Sequence, residues 1–389
     1  MLPYSKWPIY ENQIISKSSN ILKSGKVNYW TGPYGKTFEK EFSNYTNTKY
    51  SFAVSNGSIA LELALLSLGV NQDDEVIVTS RSYYSSVSSI IRVKAKPVFT
   101  DIDLNTFNIS AESIIKNITK KTKVIICVHL YGMPCDMHKI KRNIKNTKIK
   151  IIEDCSQAHG ASINNQKVGS FGNIGIWSFC NDKIISTGGE GGMISTNNKK
   201  LADKIWSLKE IGKNLNKMNT TNKKSSFPFV HDFIGTNARM TEIQSMIGLE
   251  QLKKLDLYLK NRNLNAIFLS GRLSKFKSII IPSVGLNYLH SYYRYVIRLD
   301  FNHIKRQFNQ EIILDLLKKN NVIANVGGCP TIYKENYFKK NNLQPRSKLS
   351  NTELLAKTSI SFQADQTITK KNLIEMSNKI IKVFKLVTI

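Results

Sequence analysis

Five short runs of almost unbroken apolar residues, EVIVTS, KPVFTDID, KVIICVHLYG, KIKIIEDCSQ and IGIWSFC, recur between residues 75 and 180. They do not alternate apolar with polar, so each reads as a strand buried on both faces. Strands of this kind, separated by helical or polar stretches, build a mostly parallel α/β sheet. Such sheets gather functional residues just beyond the carboxyl ends of their strands. The preceding segment, NGSIALELALLSLGV, predicts a helix opening at a Gly-Ser corner, with Leu61, Leu65 and Leu68 among its apolar positions.

A chain of 389 residues has room for a large domain, expected over 1–254, and a smaller α+β domain, expected over 255–389. Between them, RMTEIQSMIGLEQLKKLDLYLKNRNLNAIFLS reads as a long helical region from about Thr241. Its residues Ile243, Met246, Ile247, Leu249, Leu252 and Leu255 recur at helical spacing. The polar stretch before it, KNLNKMNTTNKKSSF, is expected to be a mobile loop.

Lysine and arginine total 56 against 28 acidic residues, a formal net charge of +28. The cations are spread over the whole chain alongside an excess of Asn and Ile, and no basic run is interleaved with stacking aromatics. Compositional drift accounts for this better than a nucleic-acid surface, and no nucleic-acid partner is expected. The five cysteines, Cys127, Cys135, Cys155, Cys180 and Cys329, show no CxxC pair and no Cys/His spacing that ligates metal. No metal is therefore expected, and a reducing, cytoplasmic setting is. The first twenty residues lack a signal-peptide core, and no apolar run is long enough for a membrane span.

The strand ends carry the chemistry. KIKII delivers Asp154, whose carboxylate either caps the next turn or meets a positive ligand such as a protonated pyridine nitrogen. Gln157, three residues on, is placed to donate to a ring hydroxyl oxygen. Gly57 and Ser58 open a helix, which makes an anion site or an ordinary N-cap. Ser178 ends IGIWS and can add a hydroxyl to the same anion, and Tyr83 either lies on a flat ligand or packs in the core. Lys183, in SFCNDKIISTGGEGG, stands alone before a glycine-rich reversal; by itself it reads as a surface charge. Together and in this order, these are the parts that pyridoxal 5′-phosphate (PLP) requires: a lysine for covalent attachment, a carboxylate for the ring nitrogen, a phosphate corner and an aromatic platform. Gly188 to Gly192 would let the chain reverse close beneath the cofactor.

Most of the chain resembles the DegT/StrS-type sugar aminotransferases, within the fold-type I PLP enzymes. The segments that carry the resemblance include GKVNYWTGPYGKTFEKEFSNY, SNGSIALELALLSLGV, HLYGMPCDM, IIEDCSQAHGA, GNIGIWSFCNDKIISTGGEGGMISTN and GTNARMTEIQSMIGLEQLKKLD. The resemblance implies that Lys183 is the Schiff-base lysine and proton shuttle. It implies that Asp154 partners the pyridine nitrogen, that Gln157 lies near the phenolic oxygen, and that Gly57, Ser58 and Ser178 contact the phosphate. Tyr83 matches the stacking aromatic. Asn237 matches a residue that reaches the phosphate of a neighbouring subunit, which implies an obligate homodimer. The implied reaction is ping-pong transamination, with an amino-acid donor, usually L-glutamate, and a nucleotide-linked keto-sugar acceptor. The amino-sugar product would serve surface polysaccharide or glycan synthesis.

Three departures from the family pattern fall in regions expected near the substrate: Arg81 in VTSRSYY, Asp365 and Gln366 in SISFQADQTIT, and the segment NVGGCPTIYKE. The competing readings are a PLP-dependent sugar dehydratase, a regulatory or nucleic-acid-binding relative, and a degenerate pseudoenzyme. Dehydratases of this family carry histidine at the position of Lys183, and the pseudoenzyme reading has to contend with the presence of Lys183, Asp154 and Gln157.

Overall fold

The apolar runs lie side by side in one seven-stranded sheet. Its strands are β1 (Tyr50–Val54), β2 (Glu75–Thr79), β3 (Lys96–Thr100), β4 (Thr122–Val128), β5 (Lys150–Asp154), β6 (Ile174–Ser178) and β7 (Gly192–Thr196). The order is β1-β7-β6-β5-β4-β2-β3, and only β7 runs against the others. The computed structural model describes residues 4–220, 230–283 and 285–389.

Burial on both faces follows from the continuous apolar runs. In β4, Val124, Ile126 and Val128 join one core while the intervening Ile125 and Cys127 join another on the opposite face. The same alternation separates Val76 and Val78 from Ile77 in β2. Two buried faces demand helices on both sides. The helix Gly57–Ser67 covers one, with Asn56 as its N-cap accepting the Ile59 N–H.

The pleat also separates two adjacent acids at the end of β5. Glu153 is fully buried and accepts four hydrogen bonds. They come from the Gly169, Phe171 and Gly172 N–H groups at 2.8, 2.7 and 2.6 Å and from His129 Nε2 at 3.1 Å. His129 Nδ1 accepts the Cys135 N–H at 2.9 Å, so the ring proton sits on Nε2. Although His129, Glu153 and Cys155 cluster closely enough to hold a metal ion, the imidazole has spent both nitrogens on protein partners. Asp154 points to the other face, where Ser86 of the helix Ser85–Arg92 donates to it.

A second sheet of four strands, ordered Ile279–Ile280, Tyr295–Leu299, Ser359–Phe362, Ala324–Asn325, packs against the helices Leu255–Leu273, Gln310–Lys319 and Lys370–Val387. Tyr4 joins this core from the far end of the chain. Residues Ile332, Tyr333, Phe338, Leu349 and Leu355 instead return to the core of the large sheet. The long helical region from Thr241 is two helices, Glu242–Leu252 and Leu255–Leu273, broken at Lys253 and Lys254. Thr241 and Gln244 form a capping box at its start. The expected loop at 213–227 differs in part: Leu215–Thr220 is helical, while residues 221–227 lie outside the described residues. No described helix is long and apolar enough to cross a membrane.

Replacing Glu153 with Ala strips three buried N–H groups and a buried imidazole of their acceptor. The variant should lose on the order of 3 kcal/mol of stability. Thermal or denaturant unfolding checks this, and a loss well under about 1 kcal/mol would contradict the assigned role.

Candidate active site

Beyond the carboxyl ends of β1, β2, β4, β5 and β6 lies a cleft of about 820 Å³. Gly57, Ser58, Tyr83, Asp154, Gln157, Ser178 and Lys183 all line it, although they are scattered over more than a hundred residues of sequence. Asn237 is not among the lining residues. It is exposed, on a segment held by a main-chain bridge to Glu210.

One end of the cleft is a corner of small residues. The helix Gly57–Ser67 begins there, with its first N–H groups free of helical partners. A Cβ on Gly57 would come within 2.8 Å of the Ser178 Cβ, so the helix start and the end of β6 touch. Ser58 Oγ lies 2.7 Å from Ser85 Oγ, which places further hydroxyls beside the corner. The glycine reversal serves this corner from behind. Gly188 and Gly189 take positive φ of 85° and 122°, and a Cβ on Gly192 would meet the Asn56 main chain at 2.6 Å. The close approach is to the backbone that carries the corner. A helix N-terminus with converging hydroxyls suits a phosphate.

Asp154 forms the floor and is 4% exposed. Ser86 Oγ donates to Oδ2 at 2.9 Å and the Ser156 N–H donates to Oδ1 at 3.1 Å. Among the described residues no cation pairs with it. A buried carboxylate without a positive partner is costly, and a protonated ring nitrogen would supply the missing charge. Gln157 Oε1 accepts the Tyr131 N–H at 2.8 Å, leaving its NH2 end as the available donor. Tyr83 is 64% exposed, so it faces the cleft and not the core.

Lys183 is no surface charge: its side chain is 11% exposed. Its Nζ lies 3.3 Å from Asp182 Oδ1 and 3.5 Å from the Tyr293 hydroxyl, and 4.8 Å from the centre of the Tyr293 ring. The Tyr293 hydroxyl also donates to Asp182 Oδ2. Burial opposes the ammonium, while Tyr293 and Asp182 favour it, and the balance holds Lys183 above the usual lysine range. Burial, with the Lys183 charge as a second cause, pushes the nearby His159 imidazole down to about 3. The Lys183 backbone is pinned as well, its carbonyl accepting Trp7 Nε1 at 2.8 Å.

Asp182, Tyr293, Arg294, Tyr131 and Ser86 were missed by sequence reasoning, and all line this cleft. Tyr293, 110 residues downstream of Lys183, and its neighbour Arg294 arrive by tertiary contact, for which no local pattern exists. Of the departures, Asn325, Gly327 and Gly328 line the cleft. Asp365 and Gln366 do not: Asp365 accepts from the Thr367 N–H at 2.9 Å, and Gln366 accepts from Arg262 Nε at 2.7 Å. Gln366 is thereby tied to the helix Leu255–Leu273, 104 residues away in sequence, and neither residue reaches the cleft lining.

Asp182→Asn removes the carboxylate that favours a charged Lys183, so the amine should become neutral at lower pH than in the wild type. Competitive acetylation of Lys183 across a pH series in cofactor-free protein reads this directly, and an unchanged or higher midpoint would contradict it.

Residues 8–381 match the DegT/DnrJ/EryC1/StrS aminotransferase family. A GDP-perosamine synthase of Escherichia coli O157:H7 is 39% identical over 258 residues, 66% of this chain and 68% of that protein. A dTDP-3-amino-3,6-dideoxy-alpha-D-galactopyranose transaminase of Aneurinibacillus thermoaerophilus is 35% identical over 75% of this chain and 76% of that protein. Among solved structures, an aminotransferase from Psychrobacter cryohalolentis superposes with a TM-score of 0.96 at 36% identity, over 99% of this chain and 100% of that chain. The cleft, its buried lysine and the agreement along nearly the whole length lead to one conclusion: this chain belongs to the DegT/DnrJ/EryC1/StrS family of PLP-dependent aminotransferases.

Proposed function

We propose that this aminotransferase takes an amino group from an amino acid, L-glutamate, and gives it to a nucleotide-linked keto-deoxysugar. The product is an amino-sugar nucleotide destined for a surface polysaccharide or glycan. The observation that carries the reading is Lys183: a buried amine on the wall of the same cleft as the uncompensated Asp154 and the Gly57–Ser58 corner. The names of the two sugar-acting relatives supply the substrate class.

When bound, the cofactor supplies an electron sink and carries the nitrogen between the two half-reactions. The residues do the rest. Asp154 accepts from the ring nitrogen and keeps its proton in place. Gly57, Ser58 and Ser178 hold the phosphate, Gln157 donates to the ring oxygen, and Tyr83 covers the ring. Lys183 Nζ anchors the cofactor covalently at rest. In each half-reaction the same atom takes the proton from one carbon and returns it to another, with Asp182 and Tyr293 fixing its position. The lysine itself supports transamination over dehydration, since dehydratases of the family carry histidine there. The exposed Asn237 reaches the phosphate corner of a second subunit, so the working unit is a homodimer in the cytoplasm.

Lys183→Ala should abolish covalent cofactor attachment and lower turnover on the order of 10⁴-fold or more while leaving the unfolding temperature close to that of the wild type. The substrate class is tested by converting the holoenzyme with L-glutamate and then adding GDP- and dTDP-linked keto-deoxyhexoses one at a time. Return of the starting cofactor absorbance with one of them is expected. Return only with simple keto acids, and with no sugar nucleotide, would overturn the sugar assignment.

A further inference from the structure

Arg81 follows β2 and is completely buried, yet among the described residues it pairs with no carboxylate. Its Nε and Nη1 have no hydrogen-bond partner. A buried guanidinium without a carboxylate partner is costly, and an apolar residue in its place would avoid that cost. The arrangement therefore calls for a gain elsewhere.

The rest of the side chain shows where that gain lies. Nη2 reaches the Val326 carbonyl at 2.9 Å, Ser359 Oγ at 2.6 Å and the Tyr131 hydroxyl at 2.8 Å. Ser359 Oγ also donates to the Val326 carbonyl at 3.1 Å, and the Tyr131 hydroxyl donates to the Gly327 carbonyl at 2.7 Å. Nη2 shares its two protons among these three acceptors, and each acceptor is either the residue 326 carbonyl or a hydroxyl that holds residues 326–327. The neighbouring backbone is stapled to the same place, with the Cys329 N–H donating to the Ser82 carbonyl at 3.1 Å and the Ile332 N–H to the Ser80 carbonyl at 2.9 Å.

What is held is one wall of the cleft. Asn325, Gly327, Gly328 and Ser361 line it. Gly327 and Gly328 take φ of 73° and 70°, and a Cβ on Gly327 would strike the Tyr131 hydroxyl at 2.5 Å. Only glycine fits there, so the wall offers peptide groups where other residues would offer side chains. Asn325 is oriented as well, its Oδ1 accepting from the Gly327 N–H at 2.8 Å and from Ser361 Oγ at 2.6 Å. A wall of peptide groups, an amide and a hydroxyl suits a hydroxyl-rich ring and offers little to an apolar one.

We infer that Arg81 is a positioning residue that holds the Asn325–Gly328 wall in register, and that this wall receives the sugar ring of the amino acceptor. The second half of the inference rests on the proposed sugar-nucleotide reaction; the first does not. Among the described residues the Arg81 side chain makes no hydrogen bond to Lys183, Asp154 or the Gly57–Ser58 corner and bears mainly on the Asn325–Gly328 wall, so its larger effect is expected on the substrate that this wall receives.

The test compares wild type, Arg81→Leu and Tyr131→Phe holoenzymes. Hydrogen exchange of peptides covering 322–334 should be faster in Arg81→Leu, while peptides covering 176–196 exchange as in the wild type. With the keto-sugar identified from the GDP- and dTDP-linked panel, kcat/KM for that acceptor should fall about tenfold, and kcat/KM for L-glutamate should stay within about twofold. Tyr131→Phe, which keeps the packing and removes one arm, should move both readouts in the same direction by less. The acceptors of Nη2 keep other partners, so Arg81→Leu remains folded. Unchanged exchange over 322–334 would overturn the clamp whether or not any sugar reacts. Equal losses for both substrates would mark Arg81 as a merely structural residue and overturn its selective role. If no sugar nucleotide reacts with the wild type, the proposed reaction fails while the exchange result still decides the clamp.

Discussion

Two carboxyl groups adjoin at the end of β5, and the pleat of a strand buried on both faces sends them in opposite directions. Glu153 meets three N–H groups and a histidine, so its charge is spent on holding the 169–172 loop. Among the described residues, the Asp154 carboxylate meets a serine hydroxyl and one N–H and no cation. A carboxylate buried that deeply with so little compensation is tolerable where a positive ligand completes it. The rest of the site can be read outward from that point: a phosphate corner at one end of the cleft, an aromatic at its side, and an amine held opposite.

The amine shows how burial and pairing compete. Water is largely removed from Lys183, which alone would favour the neutral form, yet Asp182 and Tyr293 restore the preference for charge. The roles proposed for it, covalent anchor and proton carrier, would benefit from a partner that can hold it in either state. Because Tyr293 stands two residues before the strand Tyr295–Leu299 and Lys183 follows β6, the two sheets together build this part of the cleft.

Much of this was legible in the sequence, and the reason is physical. Continuous apolar runs announce two-sided burial, and two-sided burial with helical connections leaves few options besides a parallel sheet. The strand-end rule then led from those runs to Asp154 and Ser178, and the Gly-Ser opening of a helix led to the Gly57 corner. Lys183 was legible only in company, because the polarity of a lysine does not say whether it is buried. What stayed hidden depends on contacts between distant segments. Asp182 looked like any acid beside a lysine, Tyr293 like any core tyrosine, and Arg81 like a departure without a purpose until Val326, Ser359 and Tyr131 were seen around it. The helix at 215–220 was hidden by its own polar composition, which resembles that of a loop.

The central claim is that one lysine among many is the covalent anchor. Borohydride reduction of the holoenzyme followed by proteolysis and mass mapping tests it most directly. The peptide containing Lys183, and no other, should carry the mass of the reduced cofactor. The label on a different lysine, with Lys183 unmodified, would contradict the account.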